Sequence, residues 1–270
     1  MTRLFPQSLS KTCNQALSSY QAEIDRLTLY EDRIEKARQI WPHRKQNNPF
    51  EEVKEKLAAM CSGARRCHYC EDSYADEIEH FFPKVIFPEK TFVWNNFLLA
   101  CGPCNSPKSN KFAIFEKESR EQLNLTSQYS LKKVRKQPPP IGDPVLINPR
   151  NENPLDFLFL DINDSFMFTE IEEDEESEAY QRAYYTIQIL KLNIRDDLVR
   201  ARKSAYGNYK ARLREYIIER NLAQSSKTAE LIQNIQQELH PTVWAEMKRQ
   251  HNHIPELNEL FSTAPEALSW

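Results

Sequence analysis

The sequence has little glycine and no long apolar run. Only 4 of its 270 residues are glycine, so few positions suit tight turns and a helix-rich chain is expected. No apolar run approaches the bilayer-spanning length of about 18 residues, and the opening residues MTRLFPQSLSK contain no apolar core of a secretion signal. These absences predict a cytoplasmic protein without a membrane segment.

An excess of basic residues is also missing. The chain has 36 Lys and Arg against 39 Asp and Glu, a formal net charge of -3, which argues against a protein that coats nucleic acid through bulk charge. Any contact with nucleic acid must then be local. There is no Gly-rich phosphate loop and no Gly-x-Ser-x-Gly elbow, so we expect no nucleotide-hydrolysing unit within this sequence.

Apolar periodicity predicts helices towards both ends of the chain. Between Tyr20 and Trp41 apolar residues recur three or four apart, which predicts one amphipathic helix ended by Pro42. Asn48-Pro49 followed by Glu51 is typical of a capped start to a second helix. The same periodicity predicts helix again from Ala179 to Asn221, with Tyr184, Ile187 and Leu190 in the core and one or two shorter helices after it.

The middle of the chain has a different character. We expect short strands at Ile78–Phe82 and Phe92–Ala100, a helix following Asn105, and extended segments at PVLINP and FLFLDI. A basic cluster that runs into three prolines is either a solvated linker or a strip that binds nucleic acid; its members are Lys132, Lys133, Arg135 and Lys136. Four regions follow: an N-terminal helical arm (1–60), a compact core (61–117), a linker with extended segments (118–178) and a C-terminal helical region (179–270).

Four of the six cysteines form two Cys-x-x-Cys pairs, Cys67/Cys70 and Cys101/Cys104. In a reducing cytoplasm such pairs indicate metal binding rather than disulfides. Four thiolates complete the tetrahedral coordination of zinc and leave no open position for a substrate, so the predicted zinc is structural. Buried or redox-active thiols are the alternative.

The residues between and beside the pairs have the chemistry of a hydrolytic site. A neutral imidazole such as that of His80 accepts a proton from water near pH 7, and the oxygens of Glu79 and Asn105 suit a hard ion such as Mg²⁺. Phosphodiester hydrolysis needs an activated water and a cation beside the phosphate. In isolation a Glu-His pair is usually only a polar surface feature, so this interpretation depends on its neighbours. Further carboxylates that could serve the metal instead are Glu71, Asp72, Asp76 and Glu77.

The segments RRCHYCEDSYADEIEHFFPK and FVWNNFLLACGPCNSPKSNK together resemble the HNH nucleases. That family has an acidic residue directly before a histidine, an asparagine ahead of the second cysteine pair, and His or Asn after it. Here those positions are Glu79-His80, Asn96 and Asn105. The commonest family motif has Asp where this chain has Glu79, a side chain longer by one methylene.

The resemblance implies a fold, a site and cofactors. The expected fold class is α+β, mainly α around a small zinc-stapled ββα-metal core that corresponds to 61–117. His80, Glu79, Asn96 and Asn105 would be catalytic, with Asn96 holding the loop that orients the base. Glu79 and Asn105 would bind the catalytic Mg²⁺ or Mn²⁺.

Over about Phe50 to Phe112 the sequence is similar to the PtuB-type HNH proteins of bacterial Septu and retron-linked defence systems. This similarity implies an antiphage effector that works beside a separate ATPase subunit of the PtuA type. The N-terminal arm and the C-terminal helices would be the surfaces for that partner, and higher-order assembly is left open.

Three functions remain open from the sequence. The first is a DNA endonuclease, the second is the same centre acting on RNA such as tRNA, and the third is a non-catalytic zinc module that binds nucleic acid or the ATPase. Candidate phosphate contacts, which could equally be solvated surface cations, are Lys108, Lys111, Arg65 and Arg66. His68 is expected to be exposed, because four thiolates already fill the coordination of zinc.

Overall fold

The fold is of the α+β class, as predicted: about half of the chain is helical, and its sheets are small and antiparallel. A computed structural model describes residues 1–72, 74–126, 136–222 and 225–270. Within these, the helices are α1 (Lys11–Asp25), α2 (Tyr30–Arg44), α3 (Pro49–Ala58), α4 (Gly102–Lys108), α5 (Glu178–Leu190), α6 (Asp196–Asn221), α7 (Ser225–Gln236), α8 (Pro241–Gln250) and α9 (Pro255–Thr263). The strands are β1 (Glu77–His80), β2 (Phe97–Ala100), β3 (Ala113–Glu116), β4 (Gln122–Asn124), β5 (Gly142–Pro144), β6 (Leu158–Leu160) and β7 (Phe168–Glu170).

The single helix predicted over Tyr20–Trp41 is wrong, because α1 ends at Asp25 and α2 begins at Tyr30. The guanidinium of Arg33 donates to the carbonyl oxygen of Leu27 at 2.6 Å, which satisfies a backbone group freed by the break. Pro42 does not end α2 but lies in its last turn, where its ring removes one backbone donor. The apolar residues keep the helical spacing from α1 into α2, although the helix itself is interrupted between them.

The helix α3 begins at Pro49, as predicted, and buries Phe50, Val53 and Leu57. The predicted capping box is wrong, because Asn48 has a helical backbone and its side chain makes no capping hydrogen bond. The carboxylate of Glu52 instead accepts a hydrogen bond from the Ser10 hydroxyl at 2.7 Å, at the start of α1. The glutamate near the start of α3 therefore contacts the start of α1 and does not cap its own helix.

The hairpin β1–β2 and the helix α4 form the centre of the molecule. Glu77 lies opposite Ala100 and His80 opposite Phe97 in the antiparallel register. Both strands are shorter than predicted, and α4 begins before Asn105 rather than after it. The chain forms a 3-10 turn at Trp94–Asn96 before β2, and Pro103 suits the first turn of α4.

Two further antiparallel sheets follow α4. One has the strand order β4-β3-β5, and the other pairs β6 with β7. The extended segment predicted at FLFLDI contains β6, whereas PVLINP only begins at the last residue of β5. Three members of the predicted basic cluster, Lys132, Lys133 and Arg135, lie outside the described residues.

The C-terminal helical prediction is correct in kind but wrong in its continuity and in one core residue. Lys191 adopts the left-handed conformation (φ 54°) and ends α5, so Ala179–Asn221 contains two helices. Ile187 and Leu190 are buried as expected, but Tyr184 is 50% exposed. Its ring stacks on that of Tyr180 on the outer face of α5, with centroids 6.2 Å apart.

The helices at both ends of the chain pack on the central hairpin and α4, with α3 on β2 and α5 on α4. Most buried apolar side chains form one cluster that extends from Met1 to Ala267, and Ala113, Phe115 and Val145 form a second, smaller cluster. Gly63 has φ +64°, and a Cβ there would lie 2.2 Å from the carbonyl oxygen of Gln237, so the loop before the first cysteine pair touches the end of α7 through bare backbone. No helix among the described residues is long and apolar enough to cross a bilayer.

Candidate metal centre and active site

The four predicted cysteines converge on one point. Cys67, Cys70, Cys101 and Cys104 are buried, and their Sγ atoms all lie within 4.8 Å of one another. A tetrahedral ion with zinc–sulfur bonds of about 2.3 Å places its sulfurs about 3.8 Å apart, and the Sγ atoms of Cys70 and Cys101 are separated by 3.7 Å. The cluster could therefore hold a metal such as zinc.

His68 is buried, so the expectation that it is exposed is wrong. Its Nδ1 accepts a hydrogen bond from the backbone N–H of Leu99 at 3.1 Å. Its Nε2 lies 2.9 Å from the carbonyl oxygen of Leu57 in α3. The ring links the first cysteine pair to β2 and α3, a structural use that the sequence pattern did not reveal.

Beside the cysteine cluster lies a cleft of about 730 Å³. His80, Glu79 and Asn105 all line it, so the three residues on which the sequence argument depends share one cavity. Trp41 of α2 also lines the cleft, and its ring centroid is 4.3 Å from that of His80. One wall of the cleft thus comes from the N-terminal helices.

The environment of His80 fixes which nitrogen can act as a base. Nε2 lies 2.9 Å from the carbonyl oxygen of Thr91, and a carbonyl only accepts, so Nε2 carries the proton and Nδ1 the lone pair. Within the described residues Nδ1 makes no hydrogen bond. Burial, reinforced by the positive charge of Lys84, lowers the pKa of His80 well below its usual range. The imidazole is therefore neutral at physiological pH.

Glu79 forms a buried ion pair with Lys108. Lys108 also donates from Nζ to the carbonyl oxygen of His80 at 2.9 Å. Burial raises the pKa of Glu79, and the charge of Lys108 opposes that rise. The lysine therefore anchors α4 to the end of β1 and supplies a counter-charge to the carboxylate.

Asn105 contacts Glu77 rather than Glu79. Its Nδ2 donates a short hydrogen bond to Oε2 of Glu77, and Glu77 and Glu79 lie on one face of β1 because side chains two apart in a strand point the same way. Glu77, named from the sequence only as a spare carboxylate, is thus the direct neighbour of Asn105. Among the described residues, no second set of three His, Cys, Asp or Glu ligand atoms converges, so an ion in this cleft would also depend on amide and water oxygens.

Asn96 ties together the loop between β1 and β2. Its Oδ1 accepts from the backbone N–H of Phe82 at 2.7 Å, and its Nδ2 donates to the carbonyls of Phe82 and Lys90 at 3.0 and 2.8 Å. Lys90 directly precedes Thr91, whose carbonyl holds His80. Asn96 therefore positions the segment that orients the imidazole.

We expect Asn96→Ala to destabilise the protein by about 3 kcal/mol, because it leaves buried backbone groups without partners. Urea unfolding measures this loss. Asn95→Ala is the matched control, since Asn95 is exposed and makes one long contact of 3.4 Å with Arg150. Equal midpoints for the two variants would contradict the positioning role.

The four predicted nucleic-acid contacts do not line the cleft. Lys108 was expected on the surface of its helix, and that expectation is wrong because its side chain is 0% exposed. Arg65 stacks on Tyr74 at 4.2 Å, and Lys111 is exposed. For Lys111, Arg65 and Arg66, binding to nucleic acid stays a prediction. The basic residues that do line the cleft are Lys45, Lys54 and Lys84.

Comparison with known proteins gives one partial likeness. No protein-family model matches the chain. The chain is similar to Septu protein PtuB of Bacillus thuringiensis. The two are 38% identical over 58 residues, which are 20% of this chain and 23% of that relative. The match thus spans about a quarter of the relative's length, and no solved structure matches the chain.

Proposed function

We propose that this chain is a metal-dependent HNH-type endonuclease that hydrolyses phosphodiester bonds of DNA. The observation that carries the proposal is the shared cleft, in which a neutral histidine with a free nitrogen lies beside two carboxylates and an amide. The succession β1, β2, α4 that builds the cleft is the order of elements in a ββα-metal fold.

In this proposal the four cysteines hold a structural zinc. Cys67 and Cys70 precede β1, and Cys101 and Cys104 flank the start of α4, so one ion would fix the hairpin against the helix. Burial raises the pKa of the Cys67 thiol, and a bound cation would stabilise the thiolate form.

His80 is the proposed general base. Its Nδ1 takes a proton from the attacking water, while Nε2–H stays bonded to the Thr91 carbonyl and keeps the ring in place. Trp41 and Phe97 pack edge-on against the ring and exclude bulk water from that side. The depressed pKa of His80 keeps the base unprotonated before attack.

Oxygen atoms of Glu79, Glu77 and Asn105 would hold the catalytic Mg²⁺ or Mn²⁺. When bound, such an ion neutralises the charge that develops on the phosphate. Asn105 and Glu77 are held together by their own hydrogen bond, so two of the three oxygen-bearing groups are already fixed relative to each other. Lys108 would keep Glu79 ionised in its buried position.

The likeness to PtuB supports a role in antiphage defence, and with it a PtuA-type ATPase as partner. The sequence itself contains no phosphate loop for ATP. The helices outside the hairpin would be the surfaces for that partner.

The test is a cleavage assay on purified protein with and without its ATPase partner. Supercoiled plasmid and total RNA are incubated in parallel with Mg²⁺, Mn²⁺ or EDTA. We expect metal-dependent nicking of the plasmid ahead of any loss of RNA. Preferential loss of RNA would reassign the substrate, and absence of cleavage under every condition would leave a zinc module that binds nucleic acid or the ATPase.

Arg195 offers a test of the zinc site that does not depend on activity. Its Nη2 lies 3.4 Å from Sγ of Cys104, and such outer partners stabilise a metal centre by supporting its ligands. We expect Arg195→Met to weaken zinc affinity about 10-fold, measured by competition with a chromogenic chelator. Arg200→Met is the control, because Arg200 is exposed on α6, the helix that follows Arg195; equal zinc retention in both variants would remove this role from Arg195.

A further inference from the structure

Three lysines that lie outside the two strands of the hairpin line the cleft that contains His80. Lys45 follows the last turn of α2, Lys54 lies in α3, and Lys84 lies in the loop after β1. The carboxylates Asp76, Glu77 and Glu79 enter the cleft from β1 and the residue before it, and Glu51 enters it from α3. Positive charge therefore comes mainly from the N-terminal helices, and negative charge mainly from the hairpin.

Among the described residues, the ammonium groups of these lysines do not form ion pairs with carboxylates within 4.0 Å. In the parts of the chain that the structure describes, none of the three ammonium groups forms a hydrogen bond either. Lys108 and Lys210, in contrast, each bind a glutamate. Free ammonium groups in a concave site are available to an incoming anion.

Lys84 is the most constrained of the three. It is half-buried, and its Nζ lies 5.8 Å from the centre of the Trp41 ring. Burial lowers its pKa; Glu79 opposes that effect, and Lys45 and Lys108 add to it. Positive charges that lie close together and are partly removed from water repel one another. An anion that binds between them stabilises their charged form.

We propose that Lys45, Lys54 and Lys84 bind the sugar-phosphate backbone that flanks the phosphate placed at His80. This inference rests on the proposed function, because it assumes that the anion of the cleft is a phosphodiester chain. It gives the N-terminal helices a direct part in substrate binding. It also moves the backbone contacts into the cleft, away from Lys111, Arg65 and Arg66 on the surface outside it.

The chemistry of the cleft favours a polyanion over a small anion. A strand with one phosphate at His80 necessarily presents neighbouring phosphates on either side, and each attracts a cation. Contacts with the phosphates position the strand but do not distinguish one base sequence from another. Duplex DNA and single-stranded RNA share this backbone, so the test must present both.

The experiment measures binding without hydrolysis. The parent is the His80→Ala variant of the whole chain in buffer without added Mg²⁺ or Mn²⁺, and the probes are a short fluorescein-labelled DNA duplex and a labelled RNA strand of the same sequence. Fluorescence anisotropy gives Kd at several salt concentrations. Replacing the three lysines together by glutamine should weaken binding at least about 10-fold and should reduce the slope of log K against log salt by about 2 to 3.

Two single variants control for general loss of charge. Lys56 lies on α3 but outside the cleft, and Lys117 is an exposed lysine that follows β3, also outside the cleft; the controls are Lys56→Gln and Lys117→Gln. Both should leave Kd and slope close to those of the parent. Since Lys45 and Lys54 are exposed and unpaired, their individual glutamine variants should fold normally and show part of the effect even if the triple variant is unstable.

The outcomes separate this inference from the proposed function. If the triple variant binds as tightly and with the same salt slope as the parent, or if the parent binds neither probe, the inference is overturned. If binding depends on the three lysines but the protein with His80 intact never cleaves, the proposed nuclease activity is rejected and the proposed binding site is retained. A preference for one probe identifies which nucleic acid the site takes.

Discussion

Replacing His80 with alanine should lower the rate of metal-dependent cleavage by about 10³-fold while zinc content stays the same, since general bases contribute about 10² to 10⁴. The physical reason is the loss of the free Nδ1, the one ring nitrogen not committed to a backbone carbonyl. The cysteine cluster lies outside the contacts of this ring with Thr91, Trp41 and Phe97. Plasmid nicking rates and bound zinc, measured on the same preparation, check both parts.

His80→Gln makes the test sharper. Glutamine can still donate to the Thr91 carbonyl but cannot accept a proton at pH 7, so it should fold like the natural protein and remain inactive. His43→Ala is the matched control, because His43 is exposed on α2 and does not line the cleft. Retention of full activity in His80→Gln would remove His80 from the chemistry.

Cys67→Ser should abolish zinc binding and cooperative folding together. A structural zinc of this kind contributes on the order of 10 kcal/mol, which is comparable with the whole stability of a typical domain, about 5 to 15 kcal/mol. The sulfur is buried beside three other cysteines, so its loss removes one of four ligands where water cannot easily replace it. Zinc analysis and thermal unfolding measure the two losses.

Cys13→Ser is the control for that experiment. Cys13 is also buried, burial raises its pKa to about 11, and its Sγ lies 3.3 Å from the carbonyl oxygen of Pro49. It takes no part in the cluster, so its variant should keep the zinc. A Cys67→Ser protein that binds zinc and unfolds at the natural temperature would exclude the four-cysteine site.

The parts of the site that follow from spacing could be predicted from the sequence. Two Cys-x-x-Cys pairs come together if one metal ion binds both. The amide of Asn96 hydrogen-bonds in the loop between β1 and β2, and its part in orienting a base stays a prediction. The start of α3 at Pro49 follows from local backbone preferences. Each of these features depends either on residues close together in the sequence or, for the cysteines, on one metal ion that all four would bind.

The parts that depend on register and on distant packing could not be predicted. Whether Glu77 or Glu79 meets Asn105 is decided by where α4 begins relative to β1, and a shift of one or two residues reverses the answer. In the sequence, Lys108 cannot be distinguished from an exposed helical lysine. Only the fold shows that it lies beside Glu79 and is buried. No local pattern indicates that Lys45 and Lys54 face the same cavity as His80, because the contact joins helices and hairpin across the chain.

The packing of Trp41 against His80 also gives the cleft an optical signal of its own. The indole lies on α2, touches the imidazole edge-on at 4.3 Å and sits 5.8 Å from the ammonium of Lys84. Indole emission responds to a change of charge or polarity near the ring. The other tryptophans, Trp94, Trp244 and Trp270, do not line this cavity. A change in emission assigned to Trp41 therefore records occupancy of the cleft directly, without a dye and without turnover.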